Sequence, residues 1–397
     1  MELYVHIPFC VRKCDYCDFL SFPGFGCGAD EKHRSLSCSY INALCGELDG
    51  VFCGMKETGL KCDTCFIGGG TPSVLELKNT EKLLKAISEG ISPIEFTIEC
   101  NPGTLTEEKL KLYKKYGVNR LSIGLQSADN GILKALGRIH TFEQFLESYR
   151  FARSTGFENI NIDLISAVPG QTFDNWKETL KAVTDLEPEH ISAYSLILEE
   201  GTPLYKRYEE NPGSLLLPDE DTEREIYHYT GKFLEEKGYH RYEISNYAKK
   251  GFHCRHNTGY WTGEEYIGAG LGAASYLSYK NAVRLKNVYA GTGSENDMFR
   301  IKNAENIDDY IVRPSCETEE ILNREAQMAE YCILGLRMTE GISVSGFKER
   351  YGTDITDRFG DILDKYRQMG LLEEKNDRIC FTDKGMDLSN TVLCEFL

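Results

Sequence analysis

The sequence opens with ELYVHIPFCVRKCDYC (Glu2–Cys17), an apolar run that leads directly into a loop with three cysteines. Cys10, Cys14 and Cys17 have the spacing C-x3-C-x2-C, and Phe19 stands where a C-x-C continuation would place a fourth thiol. A tetrahedral zinc site needs four ligands, and a disulfide needs paired cysteines in an oxidising compartment. Three thiolates can instead hold three irons of a [4Fe-4S] cluster and leave the fourth iron open. The triplet alone leaves these alternatives open, and buried structural thiols are a further one.

The composition limits the function classes. The chain has 397 residues, 41% of them apolar, which is typical of a globular protein with two or three domains. We find no signal peptide and no stretch with the roughly 18 apolar residues of a membrane span. Fifteen cysteines without an export signal indicate reduced thiols, so we expect a cytoplasmic protein. A net charge of −17 disfavours a general nucleic-acid binder, because phosphate contacts need clustered Lys and Arg.

Short apolar runs alternate with helical patterns over the first half of the chain. The predicted strands lie within residues 2–9, 65–72, 94–102, 120–127, 160–170 and 190–198. The helical patterns between them include Thr106–Tyr116, Gln144–Thr155 and Asp174–Leu186. Such alternation with short connections predicts an α/β fold with a parallel sheet, open or closed into a barrel. Six strand–helix units are fewer than the eight of a complete TIM barrel.

The alternation stops near residue 205, which predicts three regions. We expect a partial barrel in 1–205, a connecting and barrel-covering region in 206–316, and a winged-helix-like α+β domain in 317–397. In the last region, GLLEEKNDRICFTDKG (370–385) indicates a turn and a hairpin. Winged helices often bind DNA, but residues 337–397 hold nine Lys and Arg against twelve Asp and Glu. A packing or substrate-covering role is therefore expected there.

Polar residues collect at the carboxyl ends of the predicted strands, where parallel α/β folds carry their chemistry. The second strand ends in the glycine run Gly68–Gly70, the third near Glu99 and the fourth near Gln126, while Asp163 lies in the fifth. One polar residue at a strand end is ordinarily a cap or a turn residue. Several around one mouth, beside a cysteine loop, indicate a binding site. The glycine run lets backbone approach a ligand, but it is not followed by the Lys-Ser/Thr of a phosphate-binding loop.

Two further motifs have simpler interpretations. Cys62 and Cys65 form a C-x2-C pair, but Cys65 lies at the start of a predicted buried strand, which favours a structural role. GAGLGA (268–273) fits the dinucleotide fingerprint G-x-G-x-x-A. Because no apolar strand leads into it, we do not expect a dinucleotide site there.

These motifs together resemble the radical S-adenosylmethionine (radical SAM) superfamily. The finer similarity is to the branch with oxygen-independent coproporphyrinogen III oxidase and the related heme chaperones. It covers nearly the whole chain, and the motifs are specific only in combination. The stretches that carry the resemblance are YVHIPFC, GGGTPS, TIECNPGTL, RLSIGLQS, LKALGRIHT, NIDLI, PGQT, YEISNYA and HNTGYW.

The resemblance implies a partial (β/α)6 TIM-like barrel and a set of cofactor ligands. Cys10, Cys14 and Cys17 would bind a [4Fe-4S] cluster whose open iron chelates the amino and carboxylate groups of S-adenosyl-L-methionine (SAM). Tyr4 and Tyr16 would flank the cluster. The remaining residues would hold SAM: Gly70, Thr71 and Glu99 its methionine end, and Pro72, Gln126, Arg138 and Asp163 a second SAM molecule. A carboxylate suits an ammonium group and a guanidinium suits a carboxylate.

Two departures separate the chain from the oxidase. The oxidase has a fourth cysteine where this chain has Phe19, and it has an N-terminal extension before the first strand, which here begins two residues after Met1. The resemblance is therefore closer to the heme chaperones, with the oxidase as the alternative. An orphan radical SAM enzyme with another substrate is a third possibility.

The HNTGYW stretch (256–261) matches an H-N-x-x-Y-W element that the chaperone family links to heme binding. His256 could supply an imidazole to heme iron, and Tyr260 and Trp261 offer faces to a flat macrocycle. The alternative for His256 is a polar residue with satisfied hydrogen bonds. The resemblance also implies hemoprotein acceptors, an electron donor such as a flavodoxin or ferredoxin, and a possible homodimer.

Overall fold

The computed structural model describes residues 1–211, 213, 215–286 and 293–397. Its first half consists of the predicted alternating strands and helices. Their bounds are β1 (Glu2–Ile7), α1 (Glu31–Thr58), β2 (Thr64–Gly69), α2 (Leu77–Gly90), β3 (Glu95–Cys100), α3 (Glu107–Lys115), β4 (Arg120–Gln126), α4 (Asn130–Ala135), α5 (Phe142–Ser154), β5 (Ile160–Ser166), α6 (Phe173–Thr184) and β6 (His190–Ser195). Strands β1 to β6 lie side by side in sequence order, and every neighbouring pair is parallel.

The helices begin where the sequence supplies capping groups. Thr141 and Gln144 form a capping box at the start of α5, and Thr172 and Asn175 form one at the start of α6. In each, a side-chain oxygen accepts from a backbone N–H that the helix leaves unpaired. These signals explain why the ends of the predicted helices lie within about two residues of the observed ends.

Side chains alternate along the parallel strands between two environments. On β1, Leu3, Val5 and Ile7 belong to the main hydrophobic core shared with the surrounding helices. Tyr4 and His6 point to the other face and line a cavity inside the sheet's curvature. This period of two places apolar residues outside and polar residues inside a partial (β/α)6 barrel.

The middle of the chain extends this sheet at both edges. Its elements are α7 (Pro203–Glu210), α8 (Glu220–Glu236), β7 (His240–Arg241), β8 (Asn246–Ala248), α9 (Arg255–Thr262), β9 (Tyr266–Ala269), β10 (Ala274–Ser278), α10 (Tyr279–Lys286), β11 (Met298–Asn303), α11 (Ile307–Val312) and β12 (Cys316–Leu322). Strand β9 pairs in parallel with β1, and β10 to β12 follow in antiparallel order. Strands β8 and β7 continue from β6. Twelve strands thus form one sheet in the described chain, which reaches past the boundary predicted at 317.

The secondary structure around the GAGLGA stretch differs from the one predicted. A strand does lead into it, because β9 ends at Ala269, so our reason for excluding a dinucleotide site was wrong. Five residues later the antiparallel strand β10 begins at Ala274, where a dinucleotide fold would start a helix. Gly270 has φ +101°, and a Cβ there would lie 2.6 Å from the His6 carbonyl oxygen. The glycines therefore serve a tight turn against β1.

The C-terminal region is a winged-helix-like α+β domain with its own hydrophobic cluster, to which Phe347, Leu363 and Ile379 belong. The predicted hairpin is present, with Asn376 and Asp377 in the left-handed conformation at its turn. The elements are α12 (Arg324–Gly335), β13 (Ile342–Ser343), α13 (Val344–Tyr351), α14 (Ile355–Gln368), β14 (Leu372–Lys375), β15 (Arg378–Phe381), α15 (Asp383–Asp387) and α16 (Ser389–Leu393).

Within the described ranges, no helix combines the length and the apolar character needed to cross a membrane. Residues 212, 214 and 287–292, all within the predicted covering region, lie outside the description.

Candidate functional site

A cavity of about 450 Å³ lies at the carboxyl ends of the parallel strands. We call it the cysteine cavity, because all three cysteines of the first loop line it. Seven other residues predicted for the site also line it, so the structure brings most of the predicted set together. These seven are Tyr16, Gly70, Thr71, Glu99, Gln126, Arg138 and Asp163.

The cysteine loop is held at its base and at its middle. The backbone N–H of Cys10 donates to the Phe22 carbonyl at 2.9 Å, and a β-bridge joins Phe9 to Phe22. Further along, Asp15 accepts a backbone hydrogen bond from Leu204 at 2.8 Å, and its carboxylate pairs with Arg207 at 3.1 Å. The loop between these anchors has little regular structure, so α7 and the strand ends position the thiols.

The three thiols share one cavity but are not gathered around a single point. Cys10 is buried, whereas Cys14 and Cys17 are half-buried. Burial raises the pKa of the Cys10 thiol and raises the pKa of Cys17 to about 11. In the described part of the chain, no three Cys, His, Asp or Glu side chains are close enough to hold one metal ion. Three soft thiols on a loosely structured loop fit a metal cluster that orders its ligands on binding.

The glycine run packs against β1 more closely than any other residue type would allow. Gly69 has φ +108°, and a Cβ there would lie 2.4 Å from the His6 ring. A Cβ on Gly70 would lie 2.8 Å from the Phe9 carbonyl oxygen. The run therefore serves packing against the first strand, and through it Thr71 is held in the cavity wall by a 2.8 Å hydrogen bond to Phe9.

We expect Gly69→Ala to destabilise the protein by at least about 2 kcal/mol. The cost of the strained backbone and the cost of the clash with His6 both contribute to this loss. Gly103→Ala is the matched control. Gly103 has φ +79° but nothing within 4 Å of its Cβ position, so only the strain of about 1 kcal/mol applies. Denaturant unfolding of the cluster-free chains measures both. Equal losses in the two variants would contradict the close packing.

A hydrogen-bonded chain links the second, third and fourth strand ends. The Asn101 amide donates to Thr71 Oγ1 at 2.8 Å and accepts from Arg138 at 2.8 Å. Arg138 also donates to the Gly124 carbonyl at 2.8 Å and lies 3.5 Å from Cys14 Sγ. Asn101 was not among the predicted site residues, although it directly follows the third strand in the TIECNPGTL stretch.

Two partly buried carboxyl groups lie deeper in the cysteine cavity. Glu99 accepts from the Gly69 N–H at 3.1 Å, and burial together with Asp163 raises the pKa of Glu99 to about 8. Asp163 accepts from Ser122 at 2.9 Å and from Asn161 at 2.8 Å. Burial raises the pKa of Asp163 as well. These groups are suited to accept hydrogen bonds from a polar or cationic ligand.

Gln126 and Pro72 occupy special positions at the strand ends. Gln126 has φ +74°, and its buried Oε1 has no partner within the described residues. An orphaned acceptor facing a cavity is suited to a ligand's donor group. Pro72 begins a 3-10 turn and is buried, and it is not part of the cavity lining.

Below the cysteine cavity lies a second one of about 400 Å³, which we call the inner cavity. The two cavities share lining residues, among them Gly69, Glu99 and Asp163. Tyr4 lines the inner cavity and not the cysteine cavity, with its hydroxyl 3.0 Å from His6 Nδ1. The predicted place of Tyr4 beside the cluster therefore remains a prediction, whereas Tyr16 lines the cysteine cavity itself.

His256 also lines the inner cavity, on α9 at the amino ends of the strands. Its Nδ1 lies 2.8 Å from Thr64 Oγ1 and its Nε2 lies 3.0 Å from the Tyr260 hydroxyl. The ring stacks on Phe66 at 5.2 Å, and the residue is 1% exposed. Burial, aided by the charge of Arg120, lowers the pKa of His256 to about 3. The imidazole is therefore neutral, and both of its nitrogens have partners.

A third cavity of about 480 Å³ lies on the other side of Tyr4 and Tyr260. We call it the aromatic cavity, since the rings of Tyr4, Tyr260, Trp261, Tyr266 and Tyr276 line it. Tyr260 and Tyr266 meet edge to face at 4.6 Å. The buried Trp261 Nε1 has no hydrogen-bond partner among the described residues. The HNTGYW stretch thus contributes to two cavities, with His256 in one and Trp261 in the other.

Family models match two parts of the chain. Residues 4–183 match the radical SAM superfamily, and residues 322–388 match the HemN C-terminal domain. The solved structure of coproporphyrinogen III oxidase (HemN) from Escherichia coli is similar in fold, with a TM-score of 0.79. The similarity covers 100% of this chain and 89% of that one at 21% sequence identity.

Two relatives are similar in sequence over almost their full length. The heme chaperone HemW of Lactococcus lactis is 37% identical and covers 99% of this chain and 96% of its own length. The heme chaperone HemW of Bacillus subtilis is 36% identical, with 99% and 98% covered. From the motifs, the barrel and these relatives together, the chain belongs to the radical SAM superfamily, within the coproporphyrinogen III oxidase-like branch and alongside its HemW heme chaperones.

Proposed function

We propose that this protein is a heme chaperone that binds heme, a [4Fe-4S] cluster and SAM, and that delivers heme to hemoproteins. The observation that carries the proposal is the aromatic cavity, which Tyr260 and Trp261 of the HNTGYW stretch help to form. Aromatic walls suit a flat apolar macrocycle, and a cavity of about 480 Å³ is in the range of ordinary ligand sites. The relatives named heme chaperones support the same function.

Polar groups at the rim of this cavity suit the propionate groups of heme. Arg300 lines the cavity and is paired with Glu320 at 3.0 Å and with Glu330. The Arg337 guanidinium lies 5.5 Å from the Trp261 ring centre. A guanidinium binds carboxylates with directed hydrogen bonds, so Arg300, which lines the cavity, could orient the macrocycle.

The cysteine cavity would hold the cluster and SAM. Cys10, Cys14 and Cys17 are the proposed ligands, and a bound cluster would supply an open iron for the amino and carboxylate groups of SAM. Thr71 and Glu99 are placed to accept from a polar ligand beside the thiols, while Arg138 is held by Asn101 and Gly124 next to Cys14. Phe19, where the oxidase has a cysteine, is 59% exposed at the mouth of this cavity.

The remaining parts of the proposal concern the cellular location, the partners and the oligomeric state. We infer a cytoplasmic location, acceptor hemoproteins, and reduction of the cluster by a flavodoxin or ferredoxin. Homodimer formation belongs to the same hypothesis. The winged-helix-like domain contributes Leu334 and Glu330 to the aromatic cavity, which supports a role in covering the ligand.

The first test is an anaerobic hemin titration of the reconstituted full chain. We expect saturable binding in the wild type and a dissociation constant at least about tenfold higher in Trp261→Ala, because the variant loses an aromatic wall. Tyr208→Ala removes an exposed aromatic residue on α7 and should bind like the wild type. If Trp261→Ala binds hemin as tightly as the wild type, the aromatic cavity is not the heme site.

Tyr260→Phe tests whether His256 ligates the heme iron. The variant removes the hydroxyl that occupies His256 Nε2 and leaves the ring in place. If His256 is the ligand, the freed nitrogen should raise heme affinity, and His256→Ala should lose the low-spin Soret signature. Unchanged spectra in both variants would show that the ligand is another group and that His256 only packs inside the barrel.

The oxidase alternative has its own assay. Formation of protoporphyrinogen IX from coproporphyrinogen III by the anaerobic protein with SAM would establish it, and Phe19 leads us to expect none. Cleavage of SAM to 5′-deoxyadenosine without heme binding would instead indicate a radical SAM enzyme with another substrate.

A further inference from the structure

Arg120, the first residue of β4, lines the inner cavity and is 1% exposed. Within the ranges that the structure describes, its guanidinium forms no hydrogen bond and no ion pair within 4.0 Å. Its Nε is among the buried donors without a partner. A guanidinium carries five N–H donors, and a buried charge without acceptors is strongly unfavourable.

The carboxylates of Glu95 and Asp163, which interact electrostatically with Arg120, already accept hydrogen bonds from other groups. Glu95 accepts from the backbone N–H groups of Arg255 at 3.0 Å and His256 at 3.1 Å. Asp163 is held by Ser122 and Asn161. The cavity therefore contains a fixed cation whose neighbours are committed elsewhere.

Among the described lining residues, Arg120 is the one Lys or Arg of the inner cavity. The two histidines there do not share its charge, because burial lowers the pKa of His6 and lowers that of His256 to about 3. An anion in this cavity would thus meet a single positive centre.

The position of Arg120 defines which ligands can reach it. In the sheet register Glu99 pairs with Ser122, and Thr97 pairs with Arg120, so Arg120 lies two residues below Glu99. Two residues along a strand correspond to about 7 Å. Since Gly69, Glu99 and Asp163 line both cavities, a ligand at the cysteine loop can extend an arm towards Arg120.

We propose that Arg120 binds the carboxylate of an elongated ligand whose other end lies in the cysteine cavity. The guanidinium would bind this group with two parallel hydrogen bonds, which suits the planar geometry of both. The carboxylate could come from a SAM molecule other than the one whose amino and carboxylate groups chelate the cluster iron, or from a propionate group of a heme that enters the barrel through the cysteine cavity instead of the aromatic cavity. The site is separate from the aromatic cavity, so this inference goes beyond the proposed function.

Two pairs of ligands test the inference on the full reconstituted chain. In each pair one ligand has a free carboxylate group and the other lacks it. Calorimetric titrations compare SAM with decarboxylated SAM, and hemin with hemin dimethyl ester. In one pair the wild type should prefer the ligand with the free carboxylate at least tenfold, and Arg120→Met should reduce that preference several-fold. Any preference that remains in the SAM pair comes from chelation of the cluster iron. Arg153→Met is the control, because Arg153 is a partly buried arginine on α5 that pairs with Glu189 at 2.8 Å. The control should keep the wild-type preference.

The pair that responds identifies the source of the carboxylate. If hemin does not bind to the wild type, the chaperone function fails, while the SAM pair still tests Arg120. The inference would be overturned if a folded Arg120→Met had the same preference for the carboxylate as the wild type in both pairs. Cavity water would then be the partner of Arg120. Should Arg120→Met not fold, Arg120→Lys replaces it. Lysine keeps the charge but not the two parallel bonds, so a preference unchanged from the wild type would again overturn the inference.

Discussion

Cys14→Ser should lower the iron content of the reconstituted protein from about four atoms per chain to near zero. A serine hydroxyl is a hard, weakly acidic ligand that does not replace a thiolate on iron. Cys14 is half-buried and faces the cysteine cavity, with Arg138 3.5 Å from its sulfur. Iron and sulfide counts after anaerobic reconstitution measure the effect.

Cys53→Ser is the matched control for this prediction. Cys53 is a free, exposed cysteine on α1 and does not line the cysteine cavity. Its variant should retain the full iron and sulfide count. A full cluster in Cys14→Ser would contradict the assignment of the three thiols, and zinc in place of iron in the wild type would favour the zinc interpretation.

Glu47→Gln should destabilise the cluster-free chain by about 3 kcal/mol, because it leaves a buried ammonium group without its anion. Glu47 on α1 bonds Lys286 at 2.9 Å, the Tyr310 hydroxyl at 2.6 Å and the Gly270 N–H at 2.9 Å. The Lys286 side chain is only 3% exposed. This network joins the first helix to α10, to α11 and to the turn after β9, so we expect a lower urea midpoint.

Two variants distinguish the buried pair from ordinary surface charge. Glu107→Gln breaks a fully exposed pair with Lys111 and should leave the midpoint unchanged. Glu47→Gln combined with Lys286→Met removes both charges and should recover part of the loss. A double variant no more stable than Glu47→Gln would show that the ion pair itself contributes little.

The same network predicts a dependence on pH. Burial alone would raise the pKa of Glu47, but Lys286, Tyr310 and Gly270 lower it below the usual value of about 4.3. A carboxyl group with a lowered pKa in the folded state stabilises the protein above its unfolded pKa. That stability is lost as the pH falls below about 4.3 and through the folded pKa. The urea midpoint of the wild type should therefore fall more steeply with decreasing pH than that of Glu47→Gln.

Much of the barrel could be predicted because its signals are local. Each of the strands β1 to β6 is an apolar run with polar or glycine residues at its carboxyl end, and the helices carry their own caps. The added strands β9 and β10 could not be predicted in this way. YIGA and ASYLS are short and contain small residues, and they become strands by pairing with β1 and β11.

Some residues of the candidate site could likewise be predicted from the sequence, and others could not. The cysteine triplet and Glu99 are recognisable from their position after a strand, and the resemblance added Arg138. Asn101 could be recognised only from its contacts, because a single amide at a strand end is ordinarily a turn residue. For His256 the motif suggested a heme ligand, whereas the structure shows Thr64 and Tyr260 at its two nitrogens.

The sequence by itself determined the radical SAM type of fold and placed the three thiols at the mouth of the barrel, because parallel strands put their carboxyl ends at one edge. Only the tertiary structure decided what lies inside. Arg120 without a partner and the separate aromatic cavity arise from packing between residues distant in sequence, such as Tyr4 and Tyr260. Burial and hydrogen bonding at such positions depend on the whole fold, and no local pattern in the chain encodes them.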